Sequence, residues 1–298
     1  ISRKSQQPTG TRTKPVGECL ITASRKVVLV CELGNLVEWF SAEGLKPLFK
    51  RMIQRPIAIG PCGDTDTTVI GDHQGRVWVQ PPDVKVDAEN IYQAFAEPVV
   101  SAFYAGDGTI LAAGRSGKVL HIDLGADEVR ILRHGSGFQT QQKIVPARDK
   151  GLFWSLYHRE IGKRASVVSL VQRTGQEQIT LELPDFRQDL AVSEDGASLC
   201  VAGEGVLILA EQHGEWTTLY RRDTSAKYVA LLGKGGLLAV VLTEEPWLEV
   251  WRMTEGLPTV AAAHLPGKAS SLSARGDRVV LGFLSGDLMS LRLSGRIL

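Results

Sequence analysis

The side chains able to do chemistry in this chain are scattered, and their spacing argues first against catalysis. Six histidines (His73, His121, His134, His158, His213 and His264) show no HxH or HExxH pattern, so no hydrolytic zinc site is expected. Cys19, Cys31, Cys62 and Cys200 show no CxxC spacing, and all but Cys62 lie in apolar runs, as buried thiols of a reducing compartment do. No GxSxG, Walker A or GxGxxG stretch occurs, which removes the nucleophile elbow and the phosphate cradle, and no cofactor is expected. What remains is the chemistry of recognition. Arg76, Arg115, Arg159, Lys163, Arg164, Arg221 and Arg222 are cations in loop-like segments, suited to an acidic partner. Trp247, behind Pro246, is an indole suited to anchoring an interface.

The balance of charge narrows the partner. The 298 residues carry 34 Lys plus Arg against 33 Asp plus Glu, a net charge of +1, unlike a protein that neutralises phosphate over its whole surface. The longest apolar runs, Val27 to Cys31 and Leu237 to Leu242, fall far short of the ~20 residues of a membrane-spanning helix, so no membrane partner is expected. Ile1 to Gly10 are polar and basic without an apolar core, which predicts no secretory signal and an intracellular, cytoplasmic setting.

The elements that must position these residues come from a repeat. Short polar turns, each between two apolar runs, begin at Ser24, Gly63, Gly106, Arg148, Glu194, Lys234 and Arg275. Their spacing of about 42 residues matches the length of one propeller blade. After each turn an apolar strand ends at a small residue, a tight glycine turn follows, and a second strand begins. Val69 to Val79, Leu111 to Ile122, Val280 to Leu291 and Val30 to Trp39 are four copies, turning at Gly75, Gly117, Gly286 and Gly34. Helical periodicity is nearly absent; Ala88 to Ala96 alone predicts a short helix. The fourth repeat, Gly151 to Leu181, is the weakest, with a Tyr157 to Arg164 connection in place of a glycine turn.

These units resemble WD40-type repeats, whose second and third strands read "la-sGs-dG-v-vWd". Ser193 to Leu199 is similar to that family's "SpDGk-L" hairpin and Leu248 to Trp251 to its third-strand ending, although no WD dipeptide occurs. The resemblance covers roughly Gly17 to Leu298. The expected fold is all-β: one seven-bladed β-propeller over 17–298, built from four-stranded antiparallel blades. Segment 1–16 is either a strand that closes the ring or a disordered tail; in the second case the chain after Ser290 must close it.

That topology sorts the charges. Turns between second and third strands, and connectors between blades, share one face, which collects Arg51, Arg55, Lys118, Arg133, His158, Arg187 and Lys227 with the seven cations above. Among its acids are Asp72, Glu160, Asp189 and Glu245. The other face is acidic on balance, with Asp66, Asp107, Asp123, Asp127, Glu128, Asp195 and Glu215. Trp39, Trp78 and Trp251 fall at equivalent third-strand positions and read as inter-blade core. Gly135 to Gln142, with Phe138, reads as a long polar connector. The marks of catalytic propellers are missing: the sialidase-like S-x-D-x-G-x-T-W spacing, and the lactonase-like Asn set, since Asn35 and Asn90 are the only asparagines. The resemblance therefore implies a non-catalytic platform for a protein or peptide partner, of acidic character. The alternative is nucleic-acid or nucleoprotein binding through the basic face. An enzyme with a central-channel site ranks behind both, to be judged by whether inward first-strand residues cluster carboxylates and histidine.

Overall fold

The structure is a computed structural model that describes residues 14–24, 26–31, 35–60, 66–81, 90–105, 107–135, 139–147, 151–160, 165–183, 186–193, 195–213, 215–233, 238–243 and 245–293. All regular structure among them is β. Blade 1 holds β1 (Glu18–Ile21), β2 (Lys26–Cys31), β3 (Leu36–Ser41) and β4 (Pro47–Met52). Blade 2 holds β5 (Pro56–Gly60), β6 (Thr68–Asp72), β7 (Arg76–Gln80) and β8 (Asn90–Gln93). In blade 3 are β9 (Val99–Tyr104), β10 (Thr109–Gly114), β11 (Val119–Asp123) and β12 (Glu128–Arg133). Blade 4 has β13 (Gln139–Pro146), β14 (Leu152–Arg159), β15 (Ala165–Gln172) and β16 (Glu177–Leu183). Blade 5 consists of β17 (Arg187–Val192), β18 (Ser198–Gly203), β19 (Val206–Gln212) and β20 (Glu215–Arg222). Blade 6 consists of β21 (Ala226–Leu232), β22 (Leu238–Thr243), β23 (Trp247–Arg252) and β24 (Thr259–His264). In blade 7 the described strands are β25 (Ala269–Arg275), β26 (Arg278–Phe283) and β27 (Leu288–Arg292). Six sheets thus have four strands in simple meander order and the seventh has three among the described residues.

Each blade is antiparallel, and the second strands of blades 2 to 7 are buried nearly throughout because a neighbouring blade covers each side. β10, β18 and most of β22 are buried at every position. The outermost strands alternate or lie open, as in β4 and β12. In chain order, the seven polar turns of the sequence each come at the junction of a blade's first and second strands. The glycine turns follow, with φ of +81° at Gly75, +87° at Gly117 and +90° at Gly286; Gly34 lies outside the described residues. In the Ser193 to Leu199 hairpin, Ser193 Oγ donates to Asp195 Oδ1 (2.6 Å), which also accepts the Ala197 amide (3.1 Å).

Four local expectations give way. The helix over Ala88 to Ala96 is absent where described: Asn90–Gln93 form β8, because β7 needs an outer partner, and the pairing Arg76↔Gln93 to Val79↔Asn90 overrides local preference. The fourth blade, weak in sequence, has three eight-residue strands. Its β14 and β15 are buried at all six interior positions, so they read as continuous apolar runs. Tyr157 to Arg159 belong to β14 rather than to a connection. The Gly135 to Gln142 connector ends early, since Gln139 opens β13, and buried Gln141 donates through Nε2 to the Leu156 carbonyl (2.7 Å); Phe138 lies outside the described residues.

Blade 1 packs on blade 7, and the contact that closes the ring begins at Val16. Its amide donates to Phe283 O (3.2 Å), its carbonyl accepts Ser270 Oγ (2.6 Å), and its side chain is 1 % exposed. A Cβ at Gly282 would lie 2.4 Å from Val16, so blade 7 carries glycine where Val16 lands. Residues 1–13 and 294–298, the two candidates for the outer strand of blade 7, lie outside the described residues.

Candidate interaction face and channel

The turns β2–β3, β6–β7 and their equivalents, with the connectors between blades, share one end of the molecule, and this connecting face receives Arg76, Arg115, Arg159, Arg221 and Arg222. Most arrive with partners. Arg76 opens β7 with its Nε 2.6 Å from Asp72 Oδ2 and its guanidinium 5.1 Å from the centre of the Trp78 ring. Asp72 is fully buried and also accepts the amides of Gln74 (2.8 Å) and Arg76 (3.0 Å) and the Trp78 indole N–H (3.0 Å). It staples the turn, and Arg76 is part of that staple. Arg159 ends β14 and pairs with Glu182 (2.6 Å), and Arg221 pairs with Asp223 (2.8 Å). Arg222 lies 3.6 Å from Glu249, above the Trp251 ring at 4.3 Å. Exposed Arg115 has no ion pair among the described residues; Lys163 and Arg164 lie outside them. The pairing lowers the net positive charge this face presents.

Of the basic residues assigned to this face, Arg187 and His158 are interior. Arg187 is fully buried and donates from Nη1 to Gly205 O. His158, 7 % exposed, donates from Nε2 to Arg187 O (2.6 Å) and accepts the Gln142 amide at Nδ1 (3.2 Å), while its ring lies tilted against Phe186 with ring centres 4.0 Å apart. Burial lowers its pKa, and this arrangement is that of a neutral, structural imidazole. Trp39 and Trp251 are fully buried third-strand residues, and Trp78 is half-buried.

The innermost strands β1, β5, β9, β13, β17, β21 and β25 line the channel, and polar side chains there reach across to the next blade. Glu18 Oε2 accepts the Ile59 amide (2.7 Å), Ser101 Oγ the Ile144 amide (3.1 Å), Asp189 Oδ2 the Val229 amide (3.0 Å), and Ser273 Oγ the Ile21 amide (3.0 Å). Asp189, counted from sequence on the connecting face, thus sits on β17 in this belt, with Lys143 Nζ 2.6 Å away. Burial raises the Glu18 carboxyl from 4.5 to about 7 against the pull of Lys143. Burial opposes the charge of Lys143, but Asp189 outweighs it and raises the lysine pKa. The Tyr228 phenol is pushed up by burial, then by Asp189 and Glu18, and the buried Cys19 thiol is pushed up to about 12 by burial. Among the described residues the channel therefore gathers two carboxylates, a lysine and a tyrosine without a histidine, and both carboxylates hold backbone amides of the neighbouring blade. No His, Cys, Asp and Glu grouping suited to a metal occurs among the described residues. The signal for this belt was a charged residue on a first strand: Glu18 opens β1, Lys143 lies in polar β13 and Asp189 in β17.

The apolar surface is unevenly shared. Among the described residues, Met52 (70 % exposed), Phe186, Trp247 and Leu284 are large apolar side chains exposed at the connecting face. Leu48, Ile91, Val129 and Ile131 are exposed on outer strands, and none is exposed in a described turn of the opposite face. Trp247 is not in a loop: it is the first residue of β23, 40 % exposed, edge-on to His264 with ring centres 5.1 Å apart. Two hollows accompany these residues. One of about 270 Å³ lies between blades 6 and 7 beside Pro246, and a more open one of about 350 Å³ lies between blades 1 and 2 at Met52, Arg76 and Trp78.

The class of protein that this architecture defines is the seven-bladed β-propeller. Comparison with solved structures agrees: 13 % identity and a TM-score of 0.79 relate it to hydrazine synthase from Kuenenia stuttgartiensis, covering 97 % of this chain and 99 % of that one. The β-propeller domain of Cps50 (Swd1) from Myceliophteria thermophila is similar at 11 % identity and a TM-score of 0.78, covering 95 % and 99 %. With 1630 solved chains alike in this way, the fold is established and the function is not chosen by it. No family profile matches the chain, and no curated protein is detectably similar in sequence. No helix among the described residues is long and apolar enough to cross a membrane.

Proposed function

We propose that this chain is a non-catalytic interaction platform that docks a protein partner on its connecting face. The observation that carries this is the uneven apolar surface among the described residues: Met52, Phe186, Trp247 and Leu284 open to solvent at that face, with no counterpart in the described turns of the other. Burying such side chains against a partner is the usual source of interface energy, and a belted ring holds them in place without an ordering cost. The channel polar groups already hold backbone amides, which favours a structural role for them. Nucleic-acid binding has less support, because Arg76, Arg159, Arg221 and Arg222 each face a carboxylate.

The test is a hydrogen-exchange footprint of the protein with a partner captured from its source extract. Protection is expected in 52–55, 115–118, 245–247 and 284–286. The triple variant Met52→Ser, Phe186→Ser, Leu284→Ser should lower capture at least tenfold with the fold intact. Protection confined to outer strands or to the opposite turns, or undiminished capture by the triple variant, overturns the reading.

A further inference from the structure

The hollow between blades 6 and 7 has walls made by three segments from two blades. The β22–β23 turn supplies Glu245 and Pro246, the blade connector supplies His264 to Ala269, and Lys227 enters from β21. The walls are bolted together: Leu265 N donates to Pro246 O (2.7 Å), and Leu284 N, from the β26–β27 turn, donates to Lys268 O (3.1 Å). Pro246 and Pro266 stiffen the two sides, so an occupant meets a site already in shape. Leu242, Leu265 and Ala269 contribute apolar surface, while exposed Trp247 beside His264 and exposed Leu284 beside Lys268 extend it outward.

Size and charge select the occupant. About 270 Å³ is below the usual range of roughly 300–1,000 Å³ for a drug-sized ligand or cofactor and suits one large side chain. Among the described residues, the charged side chains that line it are Lys227, Lys268 and Glu245, with His264 beside them, and exposed Lys268 sets a positive charge at the mouth of an apolar hollow. Lys268 is exposed, without an ion pair among the described residues. We propose that this hollow is a peptide site that takes one large apolar side chain flanked by carboxylates from an acidic segment of a partner protein. The inference rests on the platform reading and names the place and the chemistry of its docking. Apolar contact in the hollow supplies affinity, and Lys268 selects the acidic flanks.

Gly267 makes the proposal testable without disturbing the core. A Cβ there meets nothing within 4 Å, and its φ lies outside the left-handed region, so Gly267→Tyr adds a ring beside the hollow at little cost in stability. The probe is a fluorescent decapeptide with one Phe between runs of Glu, followed by polarisation. Binding should weaken about tenfold when Phe becomes Ala, when the Glu become Gln, and in Lys268→Glu, each step close to 1.4 kcal/mol. Gly267→Tyr should abolish it while its urea midpoint stays that of the parent. Equal binding of the peptide by the Gly267→Tyr variant, no binding at millimolar peptide, or tighter binding of a single-stranded oligonucleotide at the same place overturns the proposal. If Gly267→Tyr still captures the protein partner while the Met52, Phe186, Leu284 variant does not, this site fails and the platform stands. If neither variant differs from the parent, both fail.

Discussion

At the scale of single residues, the most informative side chain is Glu18, because one carboxylate both joins two blades and titrates near neutrality. It accepts the Ile59 amide across the blade boundary, and burial lifts its pKa to about 7 from 4.5. Between those values the folded chain holds a proton that the unfolded chain has released. Stability therefore falls as pH rises through that window and stays at the lower level above it. Glu18→Gln keeps an acceptor for Ile59 and removes the titration. It is expected to flatten the fall between about pH 4.5 and 7 and to be about 1–3 kcal/mol more stable than the parent at pH 8, read from urea unfolding at several pH values. Identical pH slopes in the two proteins would show that Glu18 does not titrate there. The sequence put the candidate cations on the connecting face, but their pairing was not legible in it. Glu182 lies on another strand from Arg159 and Glu249 in another blade from Arg222, contacts made only when strands and blades pack.

At the scale of elements, blade-to-blade spacing depends on positions where no side chain fits. An added Cβ at Gly60, on inner strand β5, would lie 1.7 Å from the Ala102 carbonyl oxygen on β9. Gly60→Ala must push blades 2 and 3 apart and is expected to cost about 3 kcal/mol or more, whereas Gly267→Ala, in open space, should change stability by less than ~0.5 kcal/mol. Chemical denaturation of the two variants decides; equal midpoints would contradict this packing. The hairpin grammar was legible because a tight turn needs particular residues at particular places, as Gly75 and Gly117 satisfy. The outer strand β8 was not legible, since Ile91 to Gln93 lie largely open to solvent and the strand has no apolar period of its own. The length of blade 4 was hidden for the opposite reason: β14 and β15 are apolar nearly throughout, with no alternation to mark their ends.

For the whole molecule, stability depends on closing a ring. Blades touch their neighbours, and Val16 locks the first against the last through Phe283 O and Ser270 Oγ. Val16→Ala should cost about 2 kcal/mol and leave a single unfolding transition, because a loosened seam weakens every blade it helps to enclose. Tryptophan fluorescence and far-UV dichroism during urea unfolding would reveal two separate transitions if blades 1 and 7 instead opened independently.

Periodicity by itself determined the fold: seven turn signals about 42 residues apart, each between apolar runs, leave little besides a ring of small sheets. Tertiary structure decided what that ring presents. Asp189 left the surface for the channel, Arg187 and His158 went inside, and Trp247 joined a strand beside a hollow shared by blades 6 and 7. The physical reason is one of range. Turn chemistry acts between neighbours along the chain, whereas burial, ion pairing and hollows arise between residues brought together only when blades pack.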